Sequence, residues 1–168
     1  FTGSTTLASS AEAAGGKILQ VQSVDFTGAA TSISSASMTA TEVTDQITPS
    51  ATSSKVFVNM TLVRGMSEGS GSGNAMQLAI YRQIGGGGYS ALYAGQGNSY
   101  SGFGQNDTWT SISSSFPIGI TFIDSPNTTS AVDYKLYMCL NVPSGTGDAV
   151  NTGPSNITRS VTLMEIGA

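Results

Sequence analysis

Between Tyr89 and Trp109 the chain carries Tyr89, Tyr93, Tyr100, Phe103 and Trp109, interleaved with Gly, Ser and Asn. Rigid aromatic faces set among small adaptable polar groups are what binding loops use, and aromatic faces also stack on sugar rings. The same rings would serve equally well to cap one end of a β core, and composition alone leaves both uses open. The carboxylates offer a second chemistry. A glycosidase needs two of them facing each other across a cleft, and Asp124, Asp133 and Asp148 are the candidates, although nothing in their spacing brings them together. Histidine is absent, which removes Ser-His-Asp and Cys-His catalysis. Cys139 lies in an alternating apolar stretch with no His or helix start beside it to lower its pKa, so it reads as a packed thiol.

The remaining motifs point to no cofactor. Gly85 to Gly88 and Gly95-Gln96-Gly97 lack the following helix and the Lys of a phosphate-binding loop. One cysteine and no histidine argue against structural zinc, and Asp107 and Asp148 sit in loops without the ligand spacing of a calcium site. Asn-X-Ser/Thr triplets at Asn59, Asn106, Asn127 and Asn156 are what a Ser/Thr-rich chain produces by chance, and Asn59 falls inside a strand pattern.

These residues need a scaffold, and the strongest signal for one is Lys55 to Arg64. Val56, Val58, Met60 and Leu62 alternate with Phe57, Asn59, Thr61 and Val63, the period of a strand lying over a core. Ala131 to Val142 repeats the pattern with Val132, Tyr134, Leu136, Met138 and Leu140, and Ala75 to Ile84 does so with Met76, Leu78 and Ile80 opposite Ala79 and Tyr81. Lys17 to Phe26 begins the sheet, with Leu19, Val21 and Val24 expected inward against Gln20 and Gln22. Thr31 to Thr39 reads as a weak edge strand and Glu42 to Thr48 as another, closed by Pro49. Gly65 and Ser67 to Asn74 read as turn and loop, and Gly85 to Asp107 as irregular. Thr108 to Ser114 and Ile118 to Ile123 read as two strands parted by a corner at Phe116-Pro117. Ser125-Pro126-Asn127 makes a turn, Pro143 to Pro154 a connection, and Asn156 to Ile166 the last strand.

About 8–10 short strands with Gly, Pro, Ser and Asn between them and no helical period predict an all-β fold, an antiparallel jelly-roll-like β-sandwich. Residues 1–16 are small and polar and are expected to form an extended N-terminal arm; residues 17–168 form one domain. Charged residues make up 10% of the chain, and its six basic residues are spread singly against ten acidic ones. A nucleic-acid partner needs a clustered basic footprint, and membrane insertion by a helix needs roughly 20 consecutive apolar residues. Neither pattern is present, so neither partner is expected.

Four stretches together resemble a family of bacteriophage virion proteins from marine phages, which occur as fibre-like or surface-decorating β domains. They are Gly16-Lys17-Ile18-Leu19-Gln20-Val21; Ile47-Thr48-Pro49-Ser50 with Ser53-Ser54-Lys55-Val56; Asp124-Ser125-Pro126-Asn127-Thr128-Thr129-Ser130 with Tyr134-Lys135; and Val161-Thr162-Leu163-Met164-Glu165-Ile166. They span the domain in order, whereas Gly65 to Asp107 carries none of the likeness. The resemblance implies a non-enzymatic virion structural protein on the particle surface, a head or tail fibre or capsid decoration domain. It further implies a homotrimer in contact with other capsid or tail proteins, with a role in host attachment. A carbohydrate-binding module, or less readily a glycan hydrolase, is the alternative. If the aromatic stretch contacts a partner or host-surface glycan, replacing Tyr93, Tyr100 and Phe103 by Ala in a chain that still folds reduces attachment; attachment at the wild-type level contradicts that reading.

Overall fold

The computed structural model describes residues 16–67, 75–92, 105–106, 114–140 and 149–167. The expected N-terminal arm lies outside them, apart from Gly16. Eleven strands are present among the described residues: β1 Ile18–Phe26, β2 Ser32–Ile33, β3 Thr39–Ile47, β4 Lys55–Ser67, β5 Ala75–Ile84, β6 Ser90–Ala91, β7 Gln105–Asn106, β8 Ser114–Asp124, β9 Val132–Leu140, β10 Ala149–Asn151 and β11 Arg159–Ile166. All pairings are antiparallel. The strands form two sheets packed as a sandwich, as the alternation predicts.

The six-stranded sheet is organised on β4. One side of β4 pairs with β8 from Val56 to Met66, while the other is shared, Lys55 to Thr61 with β11 and Gly65 to Ser67 with β10. β1 extends this sheet beyond β11, and β2 extends it beyond β10. The five-stranded sheet runs β3, β9, β5, with β6 and β7 both on the far side of β5. Val56, Val58, Met60 and Leu62 face Val132, Tyr134, Leu136, Met138 and Leu140 across the interior, joined by Met76, Leu78 and Ile80, and all are buried. These are the side chains whose period of two marks them in the sequence, so burying their apolar surface is the main force holding the layers together.

Several features differ from the sequence expectation. β4 runs through Gly65 instead of turning there, because β10 pairs with its extension. Ser114–Asp124 is one strand with Pro117 inside it, opposite Val63. Proline is tolerated there because β8 pairs only with β4 among the described residues, so the missing N–H falls on an open edge. The connection after Pro143 contains β10. In β1 the inward set is Gln20, Val24 and Phe26, whereas Leu19 and Val21 are about half exposed, at 50% and 52%. A bulge between Ile18 and Gln20 accompanies this parity, and Gln20 faces inward because Glu165, directly opposite, accepts a hydrogen bond from it.

Gly153 marks where the chain leaves β10. Its φ is 109°, and a Cβ there would run into the carbonyl oxygen of Val63 on β4. Gly153→Ala therefore combines left-handed strain with a backbone clash. Denaturant unfolding should show Leu136→Ala destabilised by about 2–5 kcal/mol and Gly153→Ala by at least 1 kcal/mol, roughly the size of such backbone strain. Thr121→Ala on the outer face should stay within about 0.5 kcal/mol of wild type.

Candidate binding surface

The outer face of the five-stranded sheet gathers three half-buried tyrosine rings. Strand pairing sets Thr44, Lys135, Tyr81 and Ala91 in one row, Ala40, Tyr137 and Ala79 in the next, and Gln46, Asp133 and Gln83 on the other side of the first. Tyr81 and Tyr137, diagonal neighbours on β5 and β9, stack with centroids 3.9 Å apart and planes 24° apart. Tyr89, delivered by the glycine turn after β5, tilts against Tyr137 at 5.9 Å, and the Lys135 ammonium lies 5.0 Å from the Tyr89 ring centre. All four side chains are half-buried, so each ring keeps accessible surface. Partial burial pushes the Tyr137 hydroxyl pKa up, with Lys135 opposing.

Asp133 is fixed beside these rings. Thr44 donates its hydroxyl to Oδ1 at 3.0 Å and Gln46 donates its amide to Oδ2 at 3.2 Å. Gln83 donates to the Gly87 carbonyl and so ties the turn that carries Tyr89. The result is a low platform of rings bordered by a carboxylate, two amides and one ammonium. Such groups can stack on an apolar ring face and hydrogen-bond its hydroxyls.

Of the five aromatic residues marked by sequence, Tyr89 joins this surface, whereas Tyr93, Tyr100, Phe103 and Trp109 lie outside the described residues. Tyr81 and Tyr137 escape notice in the sequence because they sit in separate strands, although both occupy outward positions opposite an apolar row. The carboxylate pair is not assembled. Asp133 lies on the outer face, while Asp124 points into the sandwich and Asp148 is outside the described residues. Asp124 accepts Arg82 Nη1 on both oxygens at 2.9 and 2.8 Å, the Tyr134 hydroxyl at 2.8 Å and the Ser125 N–H at 2.8 Å. It thereby ties β8 of one sheet to β5 and β9 of the other. Cys139 is buried, its thiol pKa raised by burial, and it faces Gln77. Among the described residues no group of three or more His, Cys, Asp or Glu could hold a metal ion.

Two further carboxylates close the seams. Glu165 is buried, which alone would raise its pKa, but donors from Ser50, Ser54 and Gln20 outweigh that and hold it at about 2. Burial acts the same way on Glu42, where hydrogen bonds from Thr152 and Thr31 prevail and lower it, and Arg159 lies 3.2 Å away. Asp45 is the exception, its pKa raised by burial and by Asp133 against one Gln46 N–H.

The outer face of the six-stranded sheet is different in kind. Ser23, Thr162, Asn59 and Thr121 cross it in one row, linked by Ser23–Thr162 and Thr121–Asn59 hydrogen bonds. One step along, the row is Val21, Met164, Phe57 and Ile123. Val21 and Ile123 are 52% and 58% exposed, and the other large exposed apolar residues among those described, Ile18 and Leu19, adjoin the same end.

No family model matches the chain, and no curated protein matches it either. Among solved structures it is similar to the crystal structure of the infectious bursal disease virus VP2 subviral particle, with 12% identity and a TM-score of 0.34. The match covers 90% of this chain and 39% of that one. A likeness this low decides neither fold nor role, and the bacteriophage reading stands on the sequence stretches that carry it.

Because the Glu165 pKa in the fold lies below the ordinary 4.5, its contribution is fully present above about 4.5 and is lost as pH falls toward 2. Glu165→Gln should therefore be less stable than wild type at pH 7, on the order of 2 kcal/mol, and the gap should narrow steadily in urea melts between pH 5 and pH 2.5. A gap that is independent of pH would show that the carboxylate charge is not what the seam uses.

Proposed function

We propose that the chain is a non-enzymatic structural domain of a bacteriophage virion, displayed on the outside of the particle as a head or tail fibre domain or a capsid decoration domain. The observation that carries this reading is the apolar row Val21, Met164, Phe57 and Ile123 on the outer face of the six-stranded sheet. Soluble monomers rarely leave large apolar side chains grouped on one open surface, and such a group marks a place for another protein. Its position suits assembly. The row runs from β1 to β8, long strands on opposite sides of this sheet whose outer edges are unpaired among the described residues, so free backbone groups lie at each end of the apolar surface. The occupant proposed is a second and third copy of this chain around a threefold axis, the arrangement that the fibre-like resemblance implies.

The rest of the molecule agrees with display. A sparsely charged exterior of hydroxyls and amides, together with carboxylates committed to seams between the sheets, suits a module that endures and presents itself. The alternative, a carbohydrate-binding module released as a free protein, is favoured by the tyrosine platform on the opposite sheet. The two readings separate by location. A virion component copurifies with particles at a fixed copy number through a density gradient, and the isolated chain sediments at three times its 17.1 kDa mass. Val21→Ser with Ile123→Ser should shift it to the monomer while leaving it folded. A chain found only in the particle-free supernatant, monomeric before and after substitution, contradicts the proposal.

A further inference from the structure

We propose that the outer face of the five-stranded sheet is a carbohydrate-binding site, with the accessible surfaces of the Tyr81, Tyr137 and Tyr89 rings as apolar contacts for a neutral pyranose unit and Asp133, Gln46 and Gln83 as its hydroxyl partners. The choice of an extended surface glycan as the source of that unit rests on the display reading above; the site itself does not.

The contrast between the two outer faces motivates the assignment. At the corresponding outward positions the six-stranded sheet places hydroxyls that satisfy one another across strands, so its middle rows are self-contained. The five-stranded sheet instead places three tyrosines where water reaches them, with Ala40, Ala79 and Ala91 as neighbours in the rows. Of these, Ala40 and Ala91 are exposed, whereas Ala79 is buried. A pyranose presents C–H bonds on one face and hydroxyls around its rim; the first suit a ring with negative π density, the second suit paired donors and acceptors. Asp133 supplies the acceptors. Each of its oxygens already receives one hydrogen bond, from Thr44 or Gln46, which fixes the carboxylate while leaving further lone pairs for a vicinal pair of hydroxyls.

Lys135 is held over Tyr89 and lies two residues from Asp133 on the same strand face, so among the described residues the platform carries one positive and one negative side chain. That balance favours an uncharged sugar over a strongly anionic one. A proline-rich peptide also docks on aromatic rings, but it seats in grooves between them. Here Tyr81 and Tyr137 are stacked on each other, so the gap between these two rings is closed.

The test uses the isolated chain, so it does not depend on finding particles. Methyl α- and β-glucopyranoside, galactopyranoside and mannopyranoside are titrated into ¹⁵N-labelled protein up to solubility, beside a proline-rich peptide. At least one sugar should shift the resonances of Tyr81, Tyr89 and Tyr137 and the side-chain amides of Gln46 and Gln83 in a saturable way. Tyr89→Ala and Tyr137→Ala should each weaken that binding about five- to tenfold, the amount one ring stacking contact supplies. Asp133→Asn, which keeps the shape, should weaken it while thermal unfolding stays close to wild type. No saturable shift with any of the six sugars overturns the proposal. So does a response confined to the peptide, or sugar binding untouched by all three substitutions. Failure here leaves copurification and trimer mass unaffected, so the two proposals fall separately.

Discussion

The packing of β4 against β9 is the contact on which the remaining structure depends. Each strand offers an unbroken row of apolar side chains at every second position, and every one of these side chains is buried. Around them the seams are closed by polar clamps: Asp124 with Arg82 and Tyr134, Glu165 with Ser50, Ser54 and Gln20, and Glu42 with Thr31, Thr152 and Arg159. A buried charge costs several kcal/mol unless hydrogen bonds surround it, and each of these acids accepts several. In a chain with ten acidic residues, three placed this way fix how the layers meet without leaving charge on the surface.

This division of labour frees the outer faces. The six-stranded sheet carries rows of hydroxyls and amides that pair with each other, then one apolar row at the end where the chain enters and leaves. The five-stranded sheet carries tyrosines, a lysine and a bound carboxylate. A sandwich whose sheets differ this way has two distinct sides, one suited to bury against protein and one suited to meet a polar ligand. That polarity supports the reading of a domain fixed to an assembly on one side and exposed on the other.

The sequence made the core strands legible because apolar residues alternate without interruption in β4, β5 and β9. β1 was harder: Leu19, Val21, Val24 and Phe26 fit either parity, and the deciding partner of Gln20 is Glu165, at the other end of the chain. Pro117 reads as a corner unless it is known that β8 lies on a sheet edge. β10 hides among turn-forming residues because its pairing with β4 supplies the order that its own composition does not. The candidate site was legible only in part. Tyr89 stands out in an aromatic, glycine-rich stretch, but Tyr81 and Tyr137 meet through the β5–β9 register, which no local pattern encodes. Their outward parity in two strongly patterned strands was the available sign. The separation of Asp124 from Asp133 follows from the same parity, since one faces inward from its strand and the other outward.

The most direct test is a reconstruction of the particle at a resolution that separates strands. The Val21, Met164, Phe57 and Ile123 row should be covered by neighbouring copies of the chain, while the Tyr81, Tyr89 and Tyr137 platform faces solvent. Density showing the apolar row open to solvent and the tyrosine face buried in the assembly would contradict it, as would particles in which the chain has no place.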